Sequence, residues 1–238
     1  MANNYFQFKQ FTIHQDKCAM KVCTDACLFG AYMANELQQL PVKNILDIGS
    51  GTGLLSLLLA QKTTALIDTV EIDRVAFEQA KENIARSPFK DCITIFNTDA
   101  IQFDADKKYD YIISNPPFFE ADLKSVDEKK NAAKHDTTLT YDALLNAIQK
   151  NLDADGSFAV LLPYHRSNYF EAASAALNFF LTKKVLVRQS SKHSYFRAIL
   201  IFSKKKSTLQ QNEISIKNES GNYAVDFIDL LKDYYLHL

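Results

Sequence analysis

The chain has almost no net charge. Its 27 Lys and Arg face 28 Asp and Glu over 238 residues, a balance of −1. Nothing global therefore marks it as the partner of a polyanion. Cysteine is scarce: four residues, at positions 18, 23, 27 and 92. No C-x-x-C pair occurs and no histidine completes a zinc pattern, so no metal site is expected. The N-terminus is polar and aromatic, which argues against a signal peptide. Free thiols in a reducing, cytoplasmic setting are the expectation. No run of 18 apolar residues exists, so no membrane span is expected. Internal repeats, low-complexity stretches and linkers are also missing. What remains, at 47% apolar, is enough for one α/β domain spanning 1–238, with a short strand/helix extension over about 1–40.

Apolar and polar residues alternate over 5–13, which predicts one short strand or a hairpin. Thr24 or Asp25 is placed to cap a helix running to about Gln38, with Pro41 just beyond its end. Residues 44–48 predict a strand, 54–60 an apolar helix, 66–72 a second strand and 75–86 a helix. Strands at 93–96 and 109–114 follow, then a helix over 141–152, a strand over 158–162 and a helix over 167–178. Residues 183–189 and 195–202 read as an antiparallel pair, and 223–236 as a last helix after a polar tail. Strands alternating with helices predict a doubly wound, mostly parallel sheet with an antiparallel C-terminal hairpin.

Asn115-Pro116-Pro117-Phe118 follows the apolar run at 109–114. Two prolines cannot extend a central strand, and Asn115 is pushed to extended geometry by the proline after it. The result is a stiff loop presenting the amide of Asn115, the carbonyl of Pro116 and the ring of Phe118. Two acceptors and a flat ring suit a planar group bearing an NH2.

Gly49, Gly51 and Gly53 stand between a strand and a helix, where glycine permits a tight turn and close approach to a ligand. The spacing is one residue shorter than the dinucleotide fingerprint. Asp47 precedes the turn, and Glu71 lies 18 residues past Gly53, where a carboxylate suits a ribose diol. Asp99, followed by Ala100, closes the third strand, where it could accept from an adenine amine. Three successive strand ends thus face one adenosine-bearing ligand.

Charge is uneven along the chain. From 160 to 206 nine Lys and Arg meet one acid, Glu171. In that strip Arg166, Lys192 and Arg197 are candidates for phosphate contact, with solvated edge strands as the competing account. A second polar stretch, 119–139, is too long for a tight connector and reads as a lid or a substrate loop.

Asp47-Ile48-Gly49-Ser50-Gly51-Thr52-Gly53, Glu71, Asp99 and Asn115-Pro116-Pro117-Phe118 together resemble a class I, Rossmann-like S-adenosylmethionine-dependent methyltransferase of the amino-methylating kind. Phe8-Lys9-Gln10-Phe11, Gln15-Asp16, Met20-Lys21-Val22, Thr24-Asp25 and Gly30-Ala31 narrow this to the tRNA1(Val) adenine N6-methyltransferases, which modify the adenine just 3′ of the anticodon. The resemblance runs through about residue 202. It implies S-adenosylmethionine as cofactor, held by Asp47, Gly49, Gly51, Gly53, Glu71, Asp99 and Ala100, with Lys21 and Thr24 bordering its methionine end. It implies tRNA as partner, with no obligate protein partner. Arginines are expected after the Asn-Pro-Pro motif; this chain has Lys129, Lys130 and Lys134, with His135 beside them, as candidate RNA contacts.

Asn115 and Pro116 would accept the two hydrogens of the target amine, and Phe118 would stack on its base. The same loop chemistry also serves an N2-guanine enzyme of ribosomal RNA or a glutamine-amide enzyme acting on protein. A non-catalytic nucleotide-binding module is the reading from outside enzymology.

Overall fold

The computed structural model describes residues 3–18, 20–116 and 139–238. Ten strands and six helices are described: β1 (Tyr5–Gln7), β2 (Thr12–His14), α1 (Thr24–Gln38), β3 (Asn44–Ile48), α2 (Leu54–Ala60), β4 (Leu66–Glu71), α3 (Arg74–Ala85), β5 (Ile93–Asn97), β6 (Tyr109–Ser114), α4 (Tyr141–Asn151), β7 (Leu152–Pro163), α5 (Ser167–Ala176), β8 (Phe180–Arg188), β9 (Tyr195–Ser203), β10 (Gln210–Ser215) and α6 (Val225–Leu231). β1 and β2 form a separate antiparallel hairpin. The other eight strands make one sheet in the order β10-β8-β9-β7-β6-β3-β4-β5. Within it only β9 runs against its neighbours, β7 and β8; the remaining ladders are parallel.

The central strands are buried on both faces, so their sequences are continuous apolar runs. Alternate side chains supply two cores. Ile45, Ile67, Tyr111 and Ile113 pack under α1, α2 and the hairpin. Leu46, Ile48, Val70 and Ile112 pack against α4 and α5. β3 pairs with β4 on one side and β6 on the other, so the strand order reverses at β3. Open α/β sheets bind ligands in the crevice outside the carboxyl ends of the strands at such a point.

Four expectations need correction. Neither Thr24 nor Asp25 caps α1: Cys23 is the N-cap and makes no side-chain cap bond. The Asp25 carboxylate is drawn off to Arg197, Nε to Oδ2 2.7 Å. β7 begins at Leu152, straight from α4, because Leu152 pairs with Tyr109; the register then shifts across residues 153–156, and regular pairing resumes at Ser157. The polar tail contains β10, an edge strand with only Ile214 buried, so it shows no apolar period. The last helix is shorter than 223–236, and Tyr234 after it is fully buried, with its hydroxyl donating to Leu58 O at 3.0 Å.

Candidate active site

The turn after β3 is built from left-handed backbone. Gly49, Gly51 and Gly53 have φ of 82°, 53° and 82°, values that strain any residue bearing a Cβ. A Cβ on Gly49 or Gly51 would meet no atom within 4 Å, whereas one on Gly53 would touch Ala80 of α3 at 3.6 Å. The turn therefore rests on α3 by one glycine and turns an open face outward at the other two. Its amides are tied to β4: Gly49 and Ser50 donate to Val70 O at 2.9 and 3.1 Å. Gly51 N–H donates to Glu71 Oε2 at 2.8 Å, and Asp73 N–H donates to Oε1 at 2.9 Å. Glu71 is thus a fixed carboxylate at the end of β4, only 9% exposed.

Asp47 lies behind the turn, fully buried. Ser56 Oγ donates to its Oδ2 at 2.7 Å. Burial pushes its carboxyl up to about 7, with Ser56 pulling the other way and nearby Glu71 adding to the rise. Asp99 stands two residues past β5 rather than ending it, and its Oδ1 accepts from Ile101 N–H at 2.9 Å. Ala100 is buried beside it.

Asn115 and Pro116 follow β6 directly. Ser114 Oγ donates to Ile48 O at 2.8 Å, so the Asn115 loop and the glycine turn leave the sheet from two bonded strand ends. Pro117, Phe118, Lys129, Lys130, Lys134 and His135 lie outside the described residues. Among the described residues, five buried side-chain polar atoms have no hydrogen-bond partner, and three are here: Asp47 Oδ1, Ser50 Oγ and Asn115 Oδ1. Buried polar atoms are nearly always satisfied, and an orphan calls for an account. A ligand bearing hydroxyl and amine donors would supply one. The open glycine face, the fixed carboxylate and the orphan acceptors fit a nucleoside carrying an amine-bearing partner.

Lys21 and Thr24 are exposed before and at the start of α1, and Lys21 Nζ lies 3.5 Å from Asn3 O. Beyond β7, at the same end of the sheet as Asn115, Tyr164 is 40% exposed and packs on Tyr195 at 5.5 Å. Arg166 is in the same short turn, and Lys192 is exposed in the β8–β9 connection. Arg197 pairs with Asp25 and lies over the Phe196 ring. Tyr195 and Phe196 face opposite cores, as alternation requires. Much of the basic strip is neutralised in space by acids distant in sequence: Lys183 by Glu36, Arg188 by Glu213, Arg197 by Asp25 and Lys205 by Asp155, while Lys184 takes Glu171.

All four cysteines are unbridged. Burial pushes the Cys18 thiol up to about 11, helped by Glu71, Asp73 and Asp16, and pushes Cys23 and Cys27 up to about 12. They are thiols at neutral pH and poor nucleophiles. Among the described residues no His/Cys/Asp/Glu group is arranged to hold a metal, and no helix is long and apolar enough to cross a membrane.

Residues 29–177 match the family model of the methyltransferase small domain. The tRNA1(Val) (adenine(37)-N6)-methyltransferase of Dyadobacter fermentans is 42% identical over 98% of this chain and 98% of its own. Proteins of the same name from Bacteroides thetaiotaomicron and Yersinia enterocolitica are 37% and 35% identical, over 100% and 98% of this chain and 100% and 92% of theirs. The chain belongs to the tRNA1(Val) adenine N6-methyltransferase family. Among solved structures, a ribosomal protein L11 methylase of Lactobacillus delbrueckii superposes with a TM-score of 0.57 at 18% identity, over 82% of this chain and 84% of that one. An Agrobacterium tumefaciens protein described as a predicted O-methyltransferase reaches 0.67 at 15% identity, over 88% and 96%. Both likenesses show the class I methyltransferase fold.

Within this family member, several residues of the site were missed in the sequence. Gln79 and Asn83 on α3 are both 1% exposed. Asn83 Nδ2 donates to Thr52 O in the glycine turn at 2.9 Å, and Gln79 Oε1 accepts from Lys17 N–H at 2.8 Å. The signal was there: two amides four apart fall on the face of α3 that carries Ala76, Ala80 and Ile84, where apolar residues are the rule. Ser114 was read only as the last residue of a strand.

Proposed function

We propose that the chain transfers the methyl group of S-adenosylmethionine to the exocyclic N6 amine of an adenine in tRNA, the anticodon-loop adenine of a valine tRNA. The carrying observation is Asn115 Oδ1, a buried acceptor without a partner, one residue past β6 and beside the glycine turn at the reversal of strand order. Its family membership, at 35–42% identity over nearly the whole chain, supports the choice of adenine and tRNA. The chain works as one methyltransferase unit over 1–238, with the strand/helix extension of about 1–40, in the cytoplasm.

Bound S-adenosylmethionine supplies the electrophile, a sulfonium methyl. Glu71 accepts the ribose hydroxyls and Asp99, with Ala100 beside it, the adenine amine of the cofactor. Gly49, Gly51 and Gly53 admit its backbone-contacting end, Asp47 supports the turn from below, and Lys21 and Thr24 border the methionine end. Asn115 Oδ1 and Pro116 O accept the two hydrogens of the target amine. That amine is a weak nucleophile because its lone pair is delocalised into the ring. Two acceptors favour pyramidal nitrogen and strengthen as positive charge develops on it. As the N–CH3 bond forms and the S–CH3 bond breaks, the acidic methylated ammonium is left to give up one proton to solvent. The rest of the rate comes from positioning. Phe118 stacks on the target base, worth on the order of 1–3 kcal/mol. The base must leave its stack, which an anticodon loop permits more readily than a duplex. Lys129, Lys130, Lys134, His135, Arg166 and Lys192 meet the RNA backbone, while Arg197, taken up by Asp25, braces the start of α1 instead, and Tyr164 offers a ring to an unpaired base.

The test is incubation with tritiated S-adenosylmethionine and separate pools of tRNA, ribosomal RNA and release factors. Label in tRNA that digests to N6-methyladenosine is expected. Label confined to ribosomal RNA or to protein would overturn the assignment.

A further inference from the structure

α3 carries two buried amides that hold a segment far away in sequence. Asn83 treats His14 as a neighbouring strand would: its Oδ1 accepts from His14 N–H at 2.9 Å, and its Nδ2 donates to His14 O at 2.9 Å. The same Nδ2 donates to Thr52 O at 2.9 Å. One side chain thus joins the end of β2 to the glycine turn. One helical turn earlier, Gln79 accepts from Lys17 N–H at 2.8 Å, and its Nε2 lies 3.4 Å from Asp16 Oδ1. Cys18 Sγ then reaches Gly51 O at 3.9 Å. Gln15, itself 5% exposed, closes the segment on its other side by accepting from Val22 N–H at 2.8 Å. Residues 14–18 are a strap drawn across the turn, fastened at several points.

Adhesion alone would not need this chemistry. Leucine or alanine at 79 and 83 would bind the hairpin by burial, as Ala76, Ala80 and Ile84 bind their neighbours. Buried amides cost free energy unless fully satisfied, and they return direction rather than affinity. The second bond of Asn83 Nδ2 goes to the turn, not to the strap. Gly51 is held from both sides, its N–H by Glu71 and its carbonyl by Cys18. The strap and the turn therefore share one frame.

We infer that Asn83 and Gln79 are positioning residues for cofactor binding: they set the strap at 14–18 against the glycine turn, so that the segment leading to Lys21 and Thr24 forms a wall of the cofactor site. The inference rests on the cofactor site assigned above. Neither amide touches substrate, and both act through the strap.

The experiment measures S-adenosylhomocysteine affinity by calorimetry and tryptic cleavage after Lys17 and Lys21, for the full-length wild type, Asn83→Ala and Gln79→Met. Losing the Asn83 bonds raises the dissociation constant about tenfold, the size expected for one well-made buried hydrogen bond. Gln79→Met keeps length and packing and raises it roughly threefold. KM for S-adenosylmethionine rises in step, while kcat at saturation and KM for tRNA stay within about twofold. In the wild type, S-adenosylhomocysteine slows cleavage at Lys17 and Lys21; in the variants it does not, although the core still melts cooperatively. If Asn83→Ala does not fold, Gln79→Met carries the test alone. Variants that bind and protect like the wild type overturn the inference and leave the function standing. A wild type that does not bind S-adenosylhomocysteine overturns both.

Discussion

The hydroxyl of Ser114 donates to the carbonyl of Ile48 across 2.8 Å, at the point where β6 and β3 both end. The carbonyl it occupies lies immediately before the glycine turn, and the residue that donates lies immediately before Asn115. The spacing between the glycine turn and Asn115 is therefore set by the β3–β6 ladder and this bond at its end, not by two loops that drift independently.

Asn115→Ala is expected to lower kcat by about a hundredfold or more, as loss of an acceptor aimed at developing charge does, while S-adenosylmethionine binds within about twofold of the wild type. Transfer assays paired with calorimetry check this. Equal loss of cofactor affinity would reassign the residue to cofactor binding.

Gly51→Ala separates folding from binding. At φ 53° a Cβ is strained by about 1–2 kcal/mol, yet it meets no protein atom within 4 Å. The variant folds with a modestly lowered urea midpoint but binds S-adenosylmethionine at least tenfold more weakly, because the methyl enters the face the ligand needs. Unchanged affinity would place the ligand elsewhere.

Asp47 gives the protein a pH-dependent stability. Its carboxyl is raised by burial to about 7, well above its value in the unfolded chain. Between about pH 4 and 7 the folded state then holds a proton that the unfolded state has lost. This group's contribution falls as pH rises through that window, by at most about 1.4 kcal/mol per unit, and levels off above it. Asp47→Asn removes the slope. Urea midpoints at pH 5, 6, 7 and 8 should converge at the acid end, with the variant the more stable at pH 8. Parallel curves would show that Asp47 is ionised throughout.

RNA contact can be tested at the residues beyond β7. Lys192→Ala should raise KM for tRNA and lower the slope of log KM on log salt by roughly one, as loss of a single phosphate contact does. Tyr164→Ala should raise KM by about tenfold without altering the salt slope, as loss of a stacking ring does. A Tyr164→Ala effect that vanishes in high salt would make its contribution electrostatic.

The parallel strands and the glycine turn were legible because each depends on local sequence. A strand buried on both faces must be an apolar run, and a left-handed turn must be glycine. β10 was not legible, since an edge strand with one buried side chain carries no period. The cap of α1 was misread because Asp25 is claimed by Arg197 across the fold. That pairing also explains why the basic strip looks so uncompensated in sequence: its partners, Glu36, Glu213, Asp25 and Asp155, arrive from other elements. Gln79 and Asn83 were visible as polar residues on an apolar face, but what they hold depends on where the hairpin lands. Asn115 could be read as an acceptor from its prolines; that its oxygen is buried without a partner needed coordinates.

Glu71 holds Gly51 and Asp73 with its two oxygens. Each carboxylate oxygen still has a second acceptor site. The rotamer freedom of that side chain is therefore lost during folding and not again on association, where immobilising such a chain costs about 0.5–1.5 kcal/mol. A hydroxyl-bearing ligand at this strand end would therefore meet a carboxylate already fixed in place, with a small entropic penalty on the protein's side.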